Sequence, residues 1–259
     1  MADVKMPLTA HLQELRWRLI KSLIAIGIGF GACYNFTELL FDLLTRPLLT
    51  LNTASAKADA VHLIGTGLVE AFFTKLKVSA IAAIFLASPI ILYQLWKFVA
   101  PGLYENEKRY VIPFVFFGTF FFLAGAAFCY QAVLPVGYQF FIEQYATIQV
   151  DPQIRISEYL SFTARMLLAF GVTFELPVIV FFLARFGLVT HRMMLQYTRY
   201  AILVIFIVAA MLTPGPDIAS QLLMAAPLLI LYVVSIGVAY VFAKERPQEP
   251  ASAPTGDGA

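Results

Sequence analysis

Charged residues are scarce in this sequence of 259 residues: aspartate, glutamate, lysine and arginine make up 13%, whereas 60% of the residues are hydrophobic. A soluble domain of this length could not cover so much apolar surface, so the composition predicts a protein that crosses a membrane several times. The formal net charge is only +2. The sequence therefore offers no electrostatic basis for binding nucleic acid.

Histidine and cysteine are also rare, with three and two copies. His11, His62 and His191 lie in loops or at the flanks of apolar segments, so the sequence lacks the buried histidine that an intramembrane Ser-His protease needs. It also lacks the ligand spacing of a zinc site. Cys33 and Cys129 lie within apolar runs, which favours small buried side chains over a disulfide between them. These absences predict a protein that is not an enzyme and holds no metal or cofactor.

Six apolar segments with few charges divide the chain. No alternating pattern of a β-barrel is visible, so the segments are predicted to be transmembrane helices. They cover Ser22–Leu44, Val78–Trp96, Tyr110–Val133, Tyr159–Ala184, Tyr200–Leu212 and Ile218–Phe242. The sequence thus predicts a six-helix membrane domain over residues 22–242, an amphipathic cytoplasmic helix over residues 1–21, and a disordered cytoplasmic tail over residues 243–259.

The flanks of these segments predict their orientation. Lysine and arginine are more frequent on the side of the amino terminus, which predicts that both termini are cytoplasmic. Tyr93 and Trp96 favour the headgroup layer, so the second span is predicted to surface there into the cytoplasm. Two longer segments on the opposite side, Thr45–Lys77 and Leu134–Glu158, are predicted to be loops that cap the outer face.

The fifth apolar segment, Tyr200–Leu212, has only 13 residues. As a helix it measures about 20 Å, whereas the hydrocarbon core of a bilayer is about 30 Å thick. The segment turns through Thr213–Asp217 directly into the sixth. The two are therefore predicted to form a short hairpin that thins the bilayer or is sheltered by its neighbours.

Leucines repeat every three or four residues from Leu8 to Leu23, with polar residues on another face. This pattern predicts an amphipathic helix along the inner membrane surface that leads into the first span. Glu14 lies on its polar face, four residues before Arg18. The residues alone therefore favour an i,i+4 ion pair between these two side chains.

Four short stretches resemble a known family. They are His11-Leu-Gln-Glu-Leu-Arg16; Tyr93-Gln-x-Trp-x-Phe98 with Pro101-x-Leu-Tyr and Glu107-Lys-Arg109; Phe170-Gly-x-x-Phe-Glu-x-Pro177; and Leu212-Thr-Pro-x-Pro-Asp217. In this order, on six predicted spans, they resemble the C subunit of the twin-arginine protein translocase, the TatC family, from about Leu8 to Phe242. The resemblance implies a concave bundle of six helices in the inner (cytoplasmic) membrane of the cell.

The resemblance also implies a function. TatC proteins are core receptors that recognise the twin-arginine signal peptides of folded cargo proteins at the cytoplasmic face. They work with small single-span subunits of the TatA and TatB type, and with other copies of themselves, in contact with membrane lipid. The family exports folded proteins using the proton-motive force.

Three residues, Glu14, Arg16 and Glu107, match the positions that the family uses for signal peptides. Two separated carboxylates, Glu14 and Glu107, would accept charge-assisted, bidentate hydrogen bonds from two guanidinium groups. That geometry would distinguish a pair of arginines from a pair of lysines. The competing interpretation is local neutralisation, of Glu14 by Arg18 and of Glu107 by the basic residues that follow it.

Glu175 lies well inside the fourth apolar segment, where a carboxyl group is costly and is a candidate for function. The resemblance implies that it faces partner helices or the apolar part of the signal. The alternatives are a protonated, hydrogen-bonded carboxyl, a snorkelling side chain, and a proton-coupled small-molecule transporter that uses Glu175. The transporter would further predict more charges within the spans and a repeat relating the two halves, and neither is visible in the sequence.

Two polar residues of the hairpin, Thr213 and Gln221, are predicted to dock partner helices, because amides and hydroxyls hydrogen-bond between helices in lipid. Asp217 is predicted to cap the sixth helix. Three further matches to the family are predicted to shape the fold: Pro47 as a rigid outer turn, Phe98 as a packing anchor and Pro101 as a helix stop.

Overall fold

The computed structural model describes residues 8–54, 63–99, 111–150, 152–213 and 218–242. These residues are almost entirely helical, which confirms the predicted all-α membrane fold. Among them, five apolar stretches are long enough to cross a membrane, and a sixth, Thr198–Leu212, is shorter. The described elements are α1 (Leu8–Tyr34), α2 (Thr37–Ala54), β1 (Leu63–Ile64), α3 (Glu70–Val99), α4 (Val111–Phe128), a π-helical segment (Cys129–Val133), α5 (Leu134–Thr147), β2 (Ile154–Arg155), α6 (Ile156–Thr173), α7 (Glu175–Arg185), α8 (His191–Gln196), α9 (Thr198–Leu212) and α10 (Ile218–Phe242).

Helix α1 is uninterrupted over 27 residues and contains both the predicted amphipathic segment and the first predicted span. The predicted boundary between residues 21 and 22 is therefore not a break in the backbone. The predicted end of the span at Leu44 is wrong, because α1 ends at Tyr34 and the chain turns before α2. The Thr37 hydroxyl donates to the Tyr34 carbonyl at 2.6 Å, which satisfies one of the free carbonyls at the helix end.

Pro47 lies buried inside α2 and not at the turn predicted from the sequence. Proline has no N–H, so the carbonyl four residues earlier, that of Leu43, loses its helical donor. The hydroxyl of Tyr130 donates to the Leu43 carbonyl at 2.6 Å, and that of Tyr159 donates to the Leu44 carbonyl at 2.7 Å. Tyr130 thus replaces the donor that Pro47 lacks, and both tyrosines hold α2 against the bundle.

Tyr130→Phe is expected to destabilise the fold by about 0.5–1.5 kcal/mol, because the Leu43 carbonyl would lose its donor. In a Pro47→Ala background the same change should cost less, since alanine restores the N–H that the carbonyl lacks. Thermal unfolding in nanodiscs measures both costs, with Tyr145→Phe, at an exposed tyrosine, as the control. Equal costs in the two backgrounds would contradict this role of Tyr130.

A short parallel strand pair joins the two segments that were predicted to be outer loops. In its register, Leu63 lies opposite Ile154 and Ile64 lies opposite Arg155. The Arg155 guanidinium also donates to the Thr66 hydroxyl, at 2.8 Å from Nη2. The segments on either side of β1 and β2 therefore meet at one end of the helices, here called the strand end.

Glu70, the first residue of α3, joins two segments of the strand end by hydrogen bonds from their backbone N–H groups. Its Oε2 accepts the backbone N–H of Thr66 at 2.6 Å and that of Gly67 at 3.1 Å. Its Oε1 accepts the backbone N–H of Ser157 at 3.2 Å. One carboxylate thus links the segment before α3 to the first turn of α6, and it satisfies N–H groups that these ends would otherwise leave free.

Helix α4, the π-helical segment and α5 follow one another without a gap. The predicted loop Leu134–Glu158 is therefore wrong for its first 14 residues, which form α5. Pro135, the second residue of α5, closely follows the π-helical segment, whose wider hydrogen-bond pattern accommodates a residue that has no N–H to donate. Proline at this position thus marks a change in helix geometry and not the end of the helix.

The core depends on a close approach between α4 and α6. A Cβ atom built on Gly125 would lie only 2.7 Å from the carbonyl oxygen of Phe170 and from the Cβ of Phe174. Phe170 itself is fully buried. Only glycine therefore lets α4 lie this close to the end of α6.

The fourth predicted span consists of two helices, α6 and α7, with Phe174 between them. Pro177 supplies no N–H to the carbonyl of Thr173, four residues earlier, and α6 ends at Thr173. The Thr173 hydroxyl also donates to the Ala169 carbonyl at 2.7 Å. This break places Glu175 in the first turn of α7, inside the bundle.

Candidate functional site

The start of α1 packs along the end of α3, so residues from two of the sequence motifs lie together. The rings of His11 and Phe98 stack, with their centroids 4.4 Å apart. Two turns further along α1, Arg18 Nη1 donates to Gln94 Oε1 at 3.3 Å. The two helices are therefore antiparallel here, and this end of the bundle, the α1 end, lies opposite the strand end.

Glu14 lies at the α1 end and binds Arg18, with Oε1 accepting from Nη2 at 2.6 Å. This is the i,i+4 pair that the residues alone favoured. The two side chains are partly exposed, 20% for Arg18 and 22% for Glu14, and Glu14 Oε2 makes no hydrogen bond to a described residue. Arg16 is exposed and forms no ion pair within the described ranges. Glu107 and Pro101 lie outside the described residues.

Trp96 joins the same end of α3 to α4 and α7. Its ring stacks on Phe114 with the centroids 4.4 Å apart, and its centroid lies 5.6 Å from that of Phe182. Trp96 is only 4% exposed, so its ring packs in the protein core and does not face the surrounding lipid headgroups. Val111, the first residue of α4, packs against this aromatic cluster.

Glu175 is buried between α3, α4 and α7, with 6% of its surface exposed. Neither carboxylate oxygen has a hydrogen-bond partner among the described residues. A Cβ built on Gly118 of α4 would lie 3.2 Å from Glu175 Oε2 and 3.3 Å from the side chain of Leu92 of α3. The side chain is therefore neither hydrogen-bonded within the described bundle nor snorkelling, and the missing side chain of Gly118 leaves room for it.

The polar side chains Thr213 and Gln221 form hydrogen bonds within the hairpin of α9 and α10. Gln221 Nε2 donates to the Phe206 carbonyl at 2.9 Å, and the Thr213 hydroxyl donates to the Ala209 carbonyl at 3.1 Å. Helix α9 has 15 residues, two more than predicted, and measures about 22 Å, still short of the hydrocarbon core. Asp217, the predicted helix cap, lies outside the described residues.

Two residues that the sequence did not single out contribute to these sites. Gln94 holds Arg18 beside Glu14, and its only sequence signal is its place in the Tyr93-Gln-x-Trp stretch. Gly118 provides the space beside Glu175, and its signal is a single glycine within the phenylalanine-rich run of α4. Neither signal predicts the partner, because each partner comes from a different helix.

The fold and these contacts define a multi-pass, all-α membrane protein that presents a polar site at one end of its bundle. Within the described ranges, no group of three or more His, Cys, Asp or Glu side chains could hold a metal ion. The sequence matches the family of Sec-independent protein translocase proteins (TatC) over residues 10–227.

Relatives and solved structures agree with this match. The TatC protein of Desulforapulum autotrophicum is 48% identical over 245 residues, which cover 94% of this chain and 88% of the relative. That of Helicobacter pylori is 46% identical over 235 residues, which cover 90% and 87%. A crystal structure of the twin-arginine translocase receptor TatC is 36% identical with a TM-score of 0.77, covering 88% of this chain and 97% of its own. This chain belongs to the TatC family.

Proposed function

We propose that this chain is the receptor subunit of a twin-arginine translocase in the bacterial inner membrane. Both termini lie in the cytoplasm, and the α1 end faces it. There the chain binds twin-arginine signal peptides, with Glu14 and Glu107 as the two acceptors for the arginine pair. The excess of lysine and arginine on this side of the spans supports the orientation.

The observation that carries this proposal is the contact between Glu14 and Arg18. A guanidinium already lies against Glu14 at 2.6 Å, so the carboxylate is placed and oriented to accept one. Glu14 Oε2 can accept a hydrogen bond from a second donor. Gln94 holds Arg18 in place by accepting a hydrogen bond from its Nη1. An incoming arginine can therefore share the carboxylate with Arg18 or replace it. The partial burial of the pair makes the contact stronger than an ion pair on an open surface.

The chain path supports a role for Glu107 beside it. Helix α3 carries Gln94 and Phe98 at the α1 end, and α4 begins at Val111, which packs against the buried cluster that contains Trp96. Glu107 precedes Val111 by four residues, and four residues of extended chain reach at most about 14 Å. A carboxylate tethered at this distance complements Glu14 for two adjacent arginines.

The α9–α10 hairpin is the proposed docking site for single-span partner subunits. One face of α9 exposes large apolar side chains that a second helix can cover; they are Leu203, Val204, Ile207 and Met211. Thr213 and Gln221 stand at the end of this face, and Gln221 Oε1 remains as an acceptor. Export of folded cargo by the assembled complex then depends on the proton-motive force and involves Glu175.

Binding of two peptides to the purified chain in nanodiscs tests the proposal. A twin-arginine signal peptide should bind at least about tenfold more tightly than the same peptide with two lysines. One charge-assisted hydrogen bond is worth about 1.5–3 kcal/mol, and 1.4 kcal/mol is a factor of ten. A Glu38→Gln variant serves as the control, because Glu38 is exposed, pairs with Lys75 and lies toward the strand end. Equal binding of the two peptides would contradict the receptor assignment.

A further inference from the structure

Two basic residues, Lys77 on α3 and Arg165 on α6, lie a short way along their helices from the strand end of the bundle. α3 begins at Glu70 and α6 at Ile156, so Lys77 and Arg165 lie seven and nine residues into their helices. At 1.5 Å per residue these positions are about 10 Å and 14 Å along the helix axes. Neither residue belongs to the proposed signal-peptide site, which is at the opposite end.

These positions place both backbones within the hydrocarbon layer. α3 has 30 residues, and α6 and α7 together cover 30, or about 45 Å each. That length matches a whole bilayer with its headgroups, of which the hydrocarbon is about 30 Å, so the apolar layer begins about 7 Å below each helix end. Charged side chains at this depth are costly unless they reach the interface or find a counter-charge.

Both side chains extend toward the strand end and meet at Ser161. Side chains on a helix point toward its amino terminus, which for α3 and α6 is the strand end. Lys77 Nζ donates to the Ser161 hydroxyl at 2.8 Å, and Arg165 Nε donates to the Ser161 carbonyl at 3.1 Å. The Ser161 hydroxyl in turn donates to the Ser157 carbonyl. The cationic groups of two neighbouring helices are therefore anchored on the same residue, Ser161.

No described carboxylate neutralises this pair of cations. The ion pairs at this end of the described structure join Lys75 to Glu38 and Arg155 to Glu158, and they do not include Lys77 or Arg165. The nearest acid along α3, Glu70, directs its carboxylate to backbone N–H groups. Arg165 is exposed, and its two Nη groups make no hydrogen bond to a described residue.

We propose that Lys77 and Arg165 together bind the phosphate of one negatively charged phospholipid in the leaflet at the strand end. Phosphate offers several acceptor oxygens, which suit the planar fork of arginine and the point charge of lysine together. The two side chains extend from the hydrocarbon layer toward the interface, and the phosphates of phospholipids lie at that interface. A phospholipid is therefore the anion nearest to the two cationic groups. Drawing it toward Ser161 lowers the headgroup and thins the leaflet locally.

Native mass spectrometry of the chain released from nanodiscs tests the site. The nanodiscs contain phosphatidylcholine with a minority of phosphatidylglycerol. The parent chain should retain a phosphatidylglycerol molecule, and the Lys77→Gln/Arg165→Gln double variant should retain about tenfold less. The Lys75→Gln variant is the matched control, because Lys75 lies on the same helix, is half exposed and is already paired with Glu38. It should retain as much lipid as the parent.

A charge-preserving Arg165→Lys variant should keep the lipid, and the single Arg165→Gln variant, at an exposed position, replaces the double variant if that one fails to fold. Retention by the charge-removed variants at the level of the parent would overturn the proposal. An equal loss in Lys75→Gln would do so too, since it would indicate a general effect of charge. Thermal stabilisation of the lipid-free chain by inorganic phosphate, or by an acidic single-span peptide, would assign the site to another anion.

Discussion

Replacing Glu175 with leucine is expected to stabilise the purified chain by about 1–3 kcal/mol, because a buried polar group without a hydrogen bond costs about that much. The same replacement is expected to abolish export. Glu175 is buried, has no hydrogen-bond partner among the described residues, and lies beside the space left by Gly118. Residues that lower the stability of the folded protein are typical of functional sites.

Thermal unfolding in nanodiscs and export of a cofactor-containing reporter measure the two effects separately. Glu143→Leu is the matched control, because Glu143 is exposed and accepts a hydrogen bond from Gln139 at 2.9 Å. Gly118→Ala should also impair export, since its Cβ would lie 3.2 Å from Glu175 Oε2 and the carboxylate would have to move. A loss of stability in Glu175→Leu would show that the carboxylate has a partner in the folded chain. Full export by this variant would remove Glu175 from the mechanism.

Glu14→Gln and Glu107→Gln are each expected to weaken binding of a twin-arginine peptide about tenfold or more, without unfolding the chain. Each change replaces a carboxylate acceptor by a neutral amide and so removes a charge-assisted hydrogen bond of about 1.5–3 kcal/mol. Glutamine keeps the shape of glutamate, and in the free chain Glu14 loses only a partly exposed pair with Arg18. Because the pair is partly buried, stability should change by about 1 kcal/mol, which leaves the chain folded.

A double-mutant cycle with the peptide assigns each arginine to its acceptor. If Glu14 binds one arginine, then changing that arginine to lysine should cost little more in the Glu14→Gln variant, because the lost contact is shared. The other arginine should remain sensitive in that variant and become insensitive in Glu107→Gln. Additive losses for every combination would mean that the carboxylates act through long-range attraction and not through direct contact.

Much of this fold could be predicted from the sequence because apolar runs and proline-rich turns are local signals. The short hairpin and the position of Glu175 inside the fourth apolar segment follow from them. The end of α1 at Tyr34 could not be predicted, because the apolar run continues through the turn into α2. The helical setting of Pro47 was also missed, since it depends on Tyr130, whose hydroxyl reaches Leu43 across 87 residues of sequence.

The candidate sites show the same division between local and long-range information. The pair of Glu14 and Arg18 follows from their spacing of four residues, and the structure contains it. The support of Arg18 by Gln94 and the isolation of Glu175 beside Gly118 depend on how α1, α3, α4 and α7 pack. The headgroup-layer position of Trp96 was predicted from its residue type, but the burial of its ring depends on its contacts with Phe114 and Phe182.

Thiol cross-linking between Glu14→Cys and Glu107→Cys in native membranes, with Cys33 and Cys129 replaced by alanine, tests the receptor geometry most directly. The His11→Cys/Phe98→Cys pair is the positive control, because those two rings stack at 4.4 Å. A cross-linker about as long as two arginine side chains should join positions 14 and 107 efficiently. Absence of that product, with the control pair cross-linked in the same membranes, would show that the two acids are too far apart to hold one arginine pair.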